Sequence, residues 1–388
     1  MNKFPIAILL LFITKNVLIN NLPLEKEKLF SQVNLLYPIS PQPIMYYVSK
    51  NINQSEVISR LDKISLDTCF IFKRQDNQLH SIGINFLLGT EINFILSSNI
   101  NKPTTIWLDK ESYKDDRIFY HYIGRALGLN PETSRYDRDN YIDILWQNIN
   151  ESYKLHYHYL KDSKNRVYHT SFDYGSVMLY DRFFGSINRN PTYKSKIYPF
   201  YDRMTSLTNY FSYNDLKILN NMYCSNKCKN VKNDCQNSGY LTNDCNDCKC
   251  PYGFYKNKCI NNIDNHINCG NQNIFYPTRG KQFITNKLPG QCFYLISPKV
   301  NETLRITINY LRMSSEEDCR LKSGIEIKYR YDKGTTGFYL CGRYRNITIS
   351  PIFSNVHIRY HAQSNSSKFK ISFQYINKYS KKIRPKIY

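Results

Sequence analysis

Twelve cysteines, eleven of them beyond residue 220, constrain this 388-residue chain more than any other feature. An even set of closely spaced cysteines calls for an oxidising compartment, because cytosolic reductants keep thiols apart. The apolar run Phe4 to Ile13 follows Lys3 and is too short to span a bilayer, which is the pattern of a signal-peptide core. No other segment approaches membrane-spanning length, so the reading is a secreted protein with no membrane span. The stretch from Cys228 to Cys259 is too small to fold without cross-links. A zinc ribbon on Cys245, Cys248 and Cys250 is the alternative there, and oxidising conditions favour disulfides.

Lysine and arginine outnumber acids 53 to 31, giving a formal charge of +22. Outside the cell such a charge attracts acidic glycans or acidic proteins before nucleic acid. The basic residues are spread along the sequence, apart from the tail Lys378 to Lys386. Five sequons, at Asn53, Asn150, Asn301, Asn346 and Asn365, are candidate glycan acceptors. A hydrophobic content of 41% suffices for packed cores in two or three domains.

One stretch carries the chemistry. From Asp116, the residues Phe119, Tyr122, Ile123, Ala126 and Leu127 recur at helical spacing and predict a buried stripe. His121 and Arg125 stand one turn apart on a neighbouring face. Gly128 supplies a helix stop and Pro131 prevents resumption. A polar run follows: Glu132, Ser134, Arg135, Asp137, Arg138 and Asp139.

This stretch resembles the zinc helix of the astacin family of metalloendopeptidases, whose pattern is H-E-x-x-H-x-x-G-x-x-H-E with a trailing S-R-x-D-R-D. His121 matches the first zinc histidine, Gly128 the turn glycine, and the polar run its counterpart. Tyr122 replaces the glutamate base, Arg125 the second histidine and Pro131 the third. A catalytic zinc needs three neutral or anionic ligands and an open position for water. Arginine is a cation with no lone pair to give, proline has no side-chain donor, and a phenol is a poor base at neutral pH. The expectation is no intact catalytic set and no bound zinc, with His121 the one ligand kept.

A second match lies about forty residues on. Phe172-Asp-Tyr-Gly-Ser-Val-Met-Leu-Tyr180 resembles the Met-turn of the same family. By that resemblance Met178 is the apolar floor beneath the metal position and Tyr180 the tyrosine that reaches the zinc or the oxyanion. The flanking sequence reads as a mixed α+β half: strands at Met45–Val48, Cys69–Phe72, Ser81–Phe86, Phe94–Ser97 and Thr105–Leu108, and a helix over Ser55–Leu66. The resemblance implies a Cys69–Cys224 disulfide. Beyond it, the spacing of six cysteines with Pro251, Gly253 and Phe254 resembles an EGF-like module, implying Cys228–Cys245, Cys235–Cys248 and Cys250–Cys259. Cys269–Cys292 and Cys319–Cys341 are spaced like the disulfides of a CUB domain. Arg320-Leu-Lys-Ser stands where many CUB domains keep a calcium-binding acid, so no calcium is expected.

The fold class read from these features is an α+β metzincin-type protease domain, a small disulfide-rich EGF-like module and an all-β CUB sandwich. The divisions are a signal peptide at 1–20, a segment without a recognisable propeptide at 21–43, the astacin-like domain at 44–224, EGF-like at 225–262, CUB at 263–377 and a basic tail at 378–388. The favoured function is a secreted, catalytically silent relative that binds extracellular proteins or peptides, with acidic glycans as a further candidate partner. One rival is an active zinc peptidase with a site rebuilt from His156, His158 or His169. The other is a matrix or structural protein.

Overall fold

The computed structural model describes residues 43–376, apart from 98–100, 161–166, 197–199, 207, 256, 264, 266, 300–301, 314–322 and 353. The signal peptide, nearly all of the segment 21–43, Asn301, Cys319, Arg320 and the basic tail therefore lie outside the described residues.

The first half is built on one sheet. β1 (Ile44–Val48), β2 (Phe72–Gln75), β3 (Ile84–Leu88), β4 (Asn93–Ile95) and β5 (Thr104–Leu108) lie in the order β2-β1-β3-β5-β4. Neighbours are parallel except β4, which runs antiparallel to β5 and forms the edge. Between β1 and β2, α1 (Gln54–Asp67) starts where the Asn53 side chain accepts from Ser55 N, and buries Val57, Leu61 and Ile64 on one face. The reading of a strand over Cys69–Phe72 is corrected: the ladder starts at Phe72. Thr68 turns back to donate to Ile64 O and Cys69 is tied to Cys224, which keeps the start of this stretch off the ladder.

α2 (Asp116–Ala126) packs under the sheet. Asp115 caps it by accepting from Arg117 N and Ile118 N. Phe119 stacks on Phe86 of β3 at 5.5 Å between centroids. Full burial of such a ring contributes roughly 2–3 kcal/mol. Tyr122, expected within the stripe, is half-buried, while His121 and Arg125 are buried with it. Two glycines make the packing possible. A Cβ at Gly124 would lie 2.7 Å from Met178 Sδ and 2.9 Å from Phe211 Cε1, so any larger residue would force those buried side chains aside. Gly128, at φ +93°, takes the chain out of the helix through a conformation that side chains resist.

Below α2 the chain forms short turns, a ribbon of β6 (Ile142–Ile144) with β7 (Tyr193–Ser195), and α3 (Tyr213–Leu219). α3 opens with a reciprocal capping box between Ser212 and Asp215. Next comes a small module in which β8 (Tyr240–Leu241) pairs β9 (Cys248–Lys249) and β10 (Phe254–Tyr255) pairs β11 (Asn261–Asn262). Disulfides Cys228–Cys245, Cys235–Cys248 and Cys250–Cys259 hold it.

The last unit is a sandwich of two sheets. One comprises β12 (Ile274–Phe275), β14 (Gly290–Ile296), β19 (Val356–Ala362), β16 (Gly324–Lys328) and β17 (Phe338–Leu340), in that spatial order. The other runs β13 (Gln282–Asn286), β20 (Lys368–Ile376), β15 (Thr303–Arg312), β18 (Arg343–Ile352). Cys269 is bonded to Cys292, and Cys341 is also disulfide-bonded.

The sandwich is not held by its linker alone. Asp332, between β16 and β17, accepts from Ser171 N at 2.7 Å and from Asn214 Nδ2 at 2.9 Å. Arg330 donates to Phe172 O, and Thr336 N donates to Asp173 Oδ1 at 3.0 Å. Phe338 meets Tyr201 at 5.6 Å, within one hydrophobic cluster that runs from Tyr141 and Tyr174 into the sandwich core.

Candidate active-site cleft

α2, the turn ending at Tyr180 and the 3-10 stretch Glu151–Tyr157 bring four polar side chains together: His121, Arg125, Tyr180 and His156. Arg125 Nη1 donates to Tyr180 Oη at 2.9 Å, and its guanidinium lies 5.4 Å from the ring centroid of Phe94 on β4. Arg125 thus touches both the edge strand above and the turn below. It is only 6% exposed.

One turn earlier on the helix, His121 Nδ1 is 2.9 Å from Val177 O. A carbonyl can only accept, so this contact assigns the proton to Nδ1 and leaves Nε2 as a bare lone pair. Nε2 is buried and has no hydrogen-bond partner among the described residues. Burial first, and the Arg125 charge second, pull the His121 pKa down to about 3, so the ring is neutral at physiological pH.

Tyr180 is the hub. Its ring lies 4.8 Å from His121 and stacks on Phe184 at 4.2 Å. His156 Nδ1 lies 3.2 Å from Tyr180 Oη. Because Oη accepts from Arg125, its hydrogen can be given to His156, making a chain of donation from Arg125 through Tyr180 to His156. Burial, with Arg125 again second, lowers His156 to about 4. The polar run after Pro131 fixes that histidine: Thr133 Oγ1 and Ser134 Oγ both donate to His156 O, each at 3.1 Å.

The sequence offers no spacing that brings His156, His158 or His169 to His121. The fold places His156 in the cleft through contacts made 22 and 23 residues away, a signal invisible to spacing. The other two stand elsewhere. His158 packs on Trp146 at 5.3 Å, and His169 is exposed at φ +59°.

Tyr122 packs between Phe94 at 5.7 Å and His121 at 5.4 Å. Pro131 begins the 3-10 turn Glu132–Ser134 and is buried. Beneath the cleft Met178 is 1% exposed, and its N donates to Ser176 Oγ, which in turn donates to the Asp215 carboxylate at 2.8 Å. Burial foremost, then the charge of Asp173, pushes the Asp215 pKa up to about 6. Arg135 bridges Glu132 at 3.4 Å and Asp137 at 2.9 Å, which fixes the polar run.

These residues do not fit a catalytic zinc. No group of three histidines, cysteines or acids is disposed to hold a metal among the described residues. His121 Nε2 is one ligand, His156 Nδ1 is engaged by Tyr180, and a guanidinium stands one turn from His121. A fixed positive charge there repels a dication.

Of the candidate glycan acceptors, Asn53, Asn150, Asn346 and Asn365 are exposed. No described helix is long and apolar enough to cross a membrane.

Comparison with known proteins agrees with the helix and turn. Residues 36–224 match the peptidase family described as Astacin. Zinc metalloproteinase nas-34 of Caenorhabditis elegans is 31% identical over 346 residues, covering 86% of this chain and 55% of its own length. Zinc metalloproteinase nas-36 of Brugia malayi is 27% identical, covering 77% of this chain and 52% of its own length. The chain thus spans about half the length of these curated relatives. Among solved structures, high choriolytic enzyme 1, a hatching enzyme zinc-protease from Oryzias latipes, aligns with 24% identity and a TM-score of 0.39, covering 46% of this chain and 86% of that one. Residues 36–224 therefore constitute an astacin-family domain, and the chain is a homologue of the nematode zinc metalloproteinases.

Proposed function

We propose that this chain is a secreted astacin-family protein without peptidase activity, which uses its cleft to bind extracellular proteins or peptides. One observation carries the reading: the cleft floor is organised by the buried Arg125–Tyr180 hydrogen bond rather than by a three-ligand metal set. Function resides in the site and not in the fold, and this site has neither a glutamate base nor a second ligand on α2. The disulfides support an extracellular location. Within the same proposal, residues 225–262 form an EGF-like module and 263–377 a CUB domain. The three local disulfides of the first and the two-sheet sandwich of the second support those assignments.

The rebuilt-site alternative gains His156 from the fold but lacks a third ligand among the described residues. Purified secreted protein incubated with casein, gelatin and a peptide library decides between them. The expected result is no cleavage together with saturable binding of library peptides. Chelator-sensitive turnover that His121→Ala abolishes would overturn the proposal, and absence of any peptide binding would favour a structural role.

A further inference from the structure

The positive charge is spread along the sequence, but strand pairing gathers part of it on one face. In the sheet β13-β20-β15-β18, Leu304, Ile306, Ile308, Phe369, Ile371 and Phe373 are buried, so their alternates point outward. Arg312 lies opposite Arg343 on one side and Lys368 on the other. In the next outward row Tyr310 lies between Arg345 and Lys370, and further along Arg305 faces Gln374. The four arginines are exposed and the two lysines half-exposed. Their strands contain no aspartate or glutamate, and none of the six cations pairs with a described acid. The nearest acid in sequence, Glu302, three residues before Arg305, accepts from Lys299 N at 2.9 Å, while Glu316, Glu317 and Asp318 lie outside the described residues.

Like charges set directly opposite across a ladder destabilise a sheet. Arg312, flanked by cations on both sides, is such a case, and it gives a polyanion laid across the strands an electrostatic advantage. The rows are about 7 Å apart along a strand and adjacent strands about 4.8 Å apart, so the cations form a flat grid. Arginine predominates, and its planar fork pairs well with sulfate-like oxygens. Phe283 is the one large hydrophobic residue well exposed among the described residues of the face, and Lys370 lies over its ring at 4.1 Å. A ladder of open aromatic rings, which unpaired bases would need for stacking, is not present among the described residues of this face.

We propose that this outer sheet face binds a sulfated polysaccharide. The proposal rests on the extracellular location argued above and is independent of what the cleft does.

The test compares the full chain with two variants on immobilised heparin, a heavily sulfated polysaccharide, eluted with sodium chloride. One variant carries Arg312→Gln, Arg343→Gln, Arg345→Gln and Lys368→Gln. The other removes the same charge elsewhere, through Lys50→Gln, Lys73→Gln, Lys102→Gln and Lys110→Gln, all exposed. Each lost contact to a polyanion removes released counterions, so the sheet variant should bind about tenfold or more weakly near physiological salt. The control variant should keep most of the affinity, and unsulfated hyaluronan should bind far less than heparin. The melting temperature of the sheet variant should hold or rise, because repulsion is removed. Should the fourfold variant fail to fold, Arg343→Gln with Arg345→Gln on the edge strand serves in its place. Equal weakening in both variants would overturn the proposal in favour of diffuse charge. Loss of binding on removing residues 378–388 alone would reassign it to the tail, and equal retention on duplex DNA would reject the polysaccharide.

Discussion

Arg125 and Tyr180, 55 residues apart, are joined by a buried hydrogen bond at 2.9 Å. Removing the guanidinium should leave buried acceptors unsatisfied, a loss of about 2–3 kcal/mol for a charged donor. Arg125→Ala is therefore expected to lower the urea midpoint clearly, and Tyr180→Phe to lower it by less. A change below about 0.5 kcal/mol in Arg125→Ala, the range of an ordinary surface substitution, would show that another group organises the floor.

Chelation is the second test. The purified protein should contain well under one zinc per chain, and added chelator should leave its melting temperature unchanged. Arg125→His combined with Pro131→His should raise zinc affinity by supplying the two missing ligand types. Stoichiometric zinc in the unmodified protein would revive the active-enzyme reading.

The helix over 116–126 and the turn at 172–180 were both legible because each depends on local pattern: apolar spacing, a stop glycine, a motif. What joins them was not. His156 enters the cleft on hydroxyls of Thr133 and Ser134, and Arg312 meets Arg343 and Lys368 only through strand register. Spacing along a chain carries no information about such partners. The start of β2 is hidden from the sequence for a related reason: the apolar run Cys69–Phe72 looks like a strand, while the disulfide to a residue 155 positions away sets where the ladder begins.

Stability should also respond to pH through Asp215. Its folded pKa, near 6, is raised above the unfolded value, so its contribution is fully present below about pH 4 and is lost as pH rises through 6. Wild type relative to Asp215→Asn should lose roughly 3 kcal/mol between pH 4 and pH 7. His121 and His156, lowered to about 3 and about 4, have the opposite sign: their contribution is present above about 6.5 and lost as pH falls through those values. Denaturant titrations of the Asn variant and wild type at several pH values measure the difference, and parallel curves would refute it.

Asp332 is the polar anchor between the sandwich and the first unit, accepting from Ser171 N, Asn214 Nδ2 and Gly334 N. Asp332→Ala should cost about 2–4 kcal/mol, because three buried or half-buried donors lose a charged acceptor. Limited proteolysis is expected to cut this variant between the two units faster than wild type. Unchanged proteolysis and stability would mean that the apolar contacts suffice.

Tyr201 gives the arrangement its wider meaning. It is fully buried, with Tyr174 at 4.3 Å on one side and Phe338 at 5.6 Å on the other. A fragment ending before the sandwich would present that aromatic cluster to water, and a sandwich expressed alone would lose its complement. The segments that look like exchangeable beads in the sequence should therefore melt in one calorimetric transition. Grafting a different carboxy-terminal sandwich onto this chain would succeed only if the graft brought its own counterpart to Phe338 and Asp332.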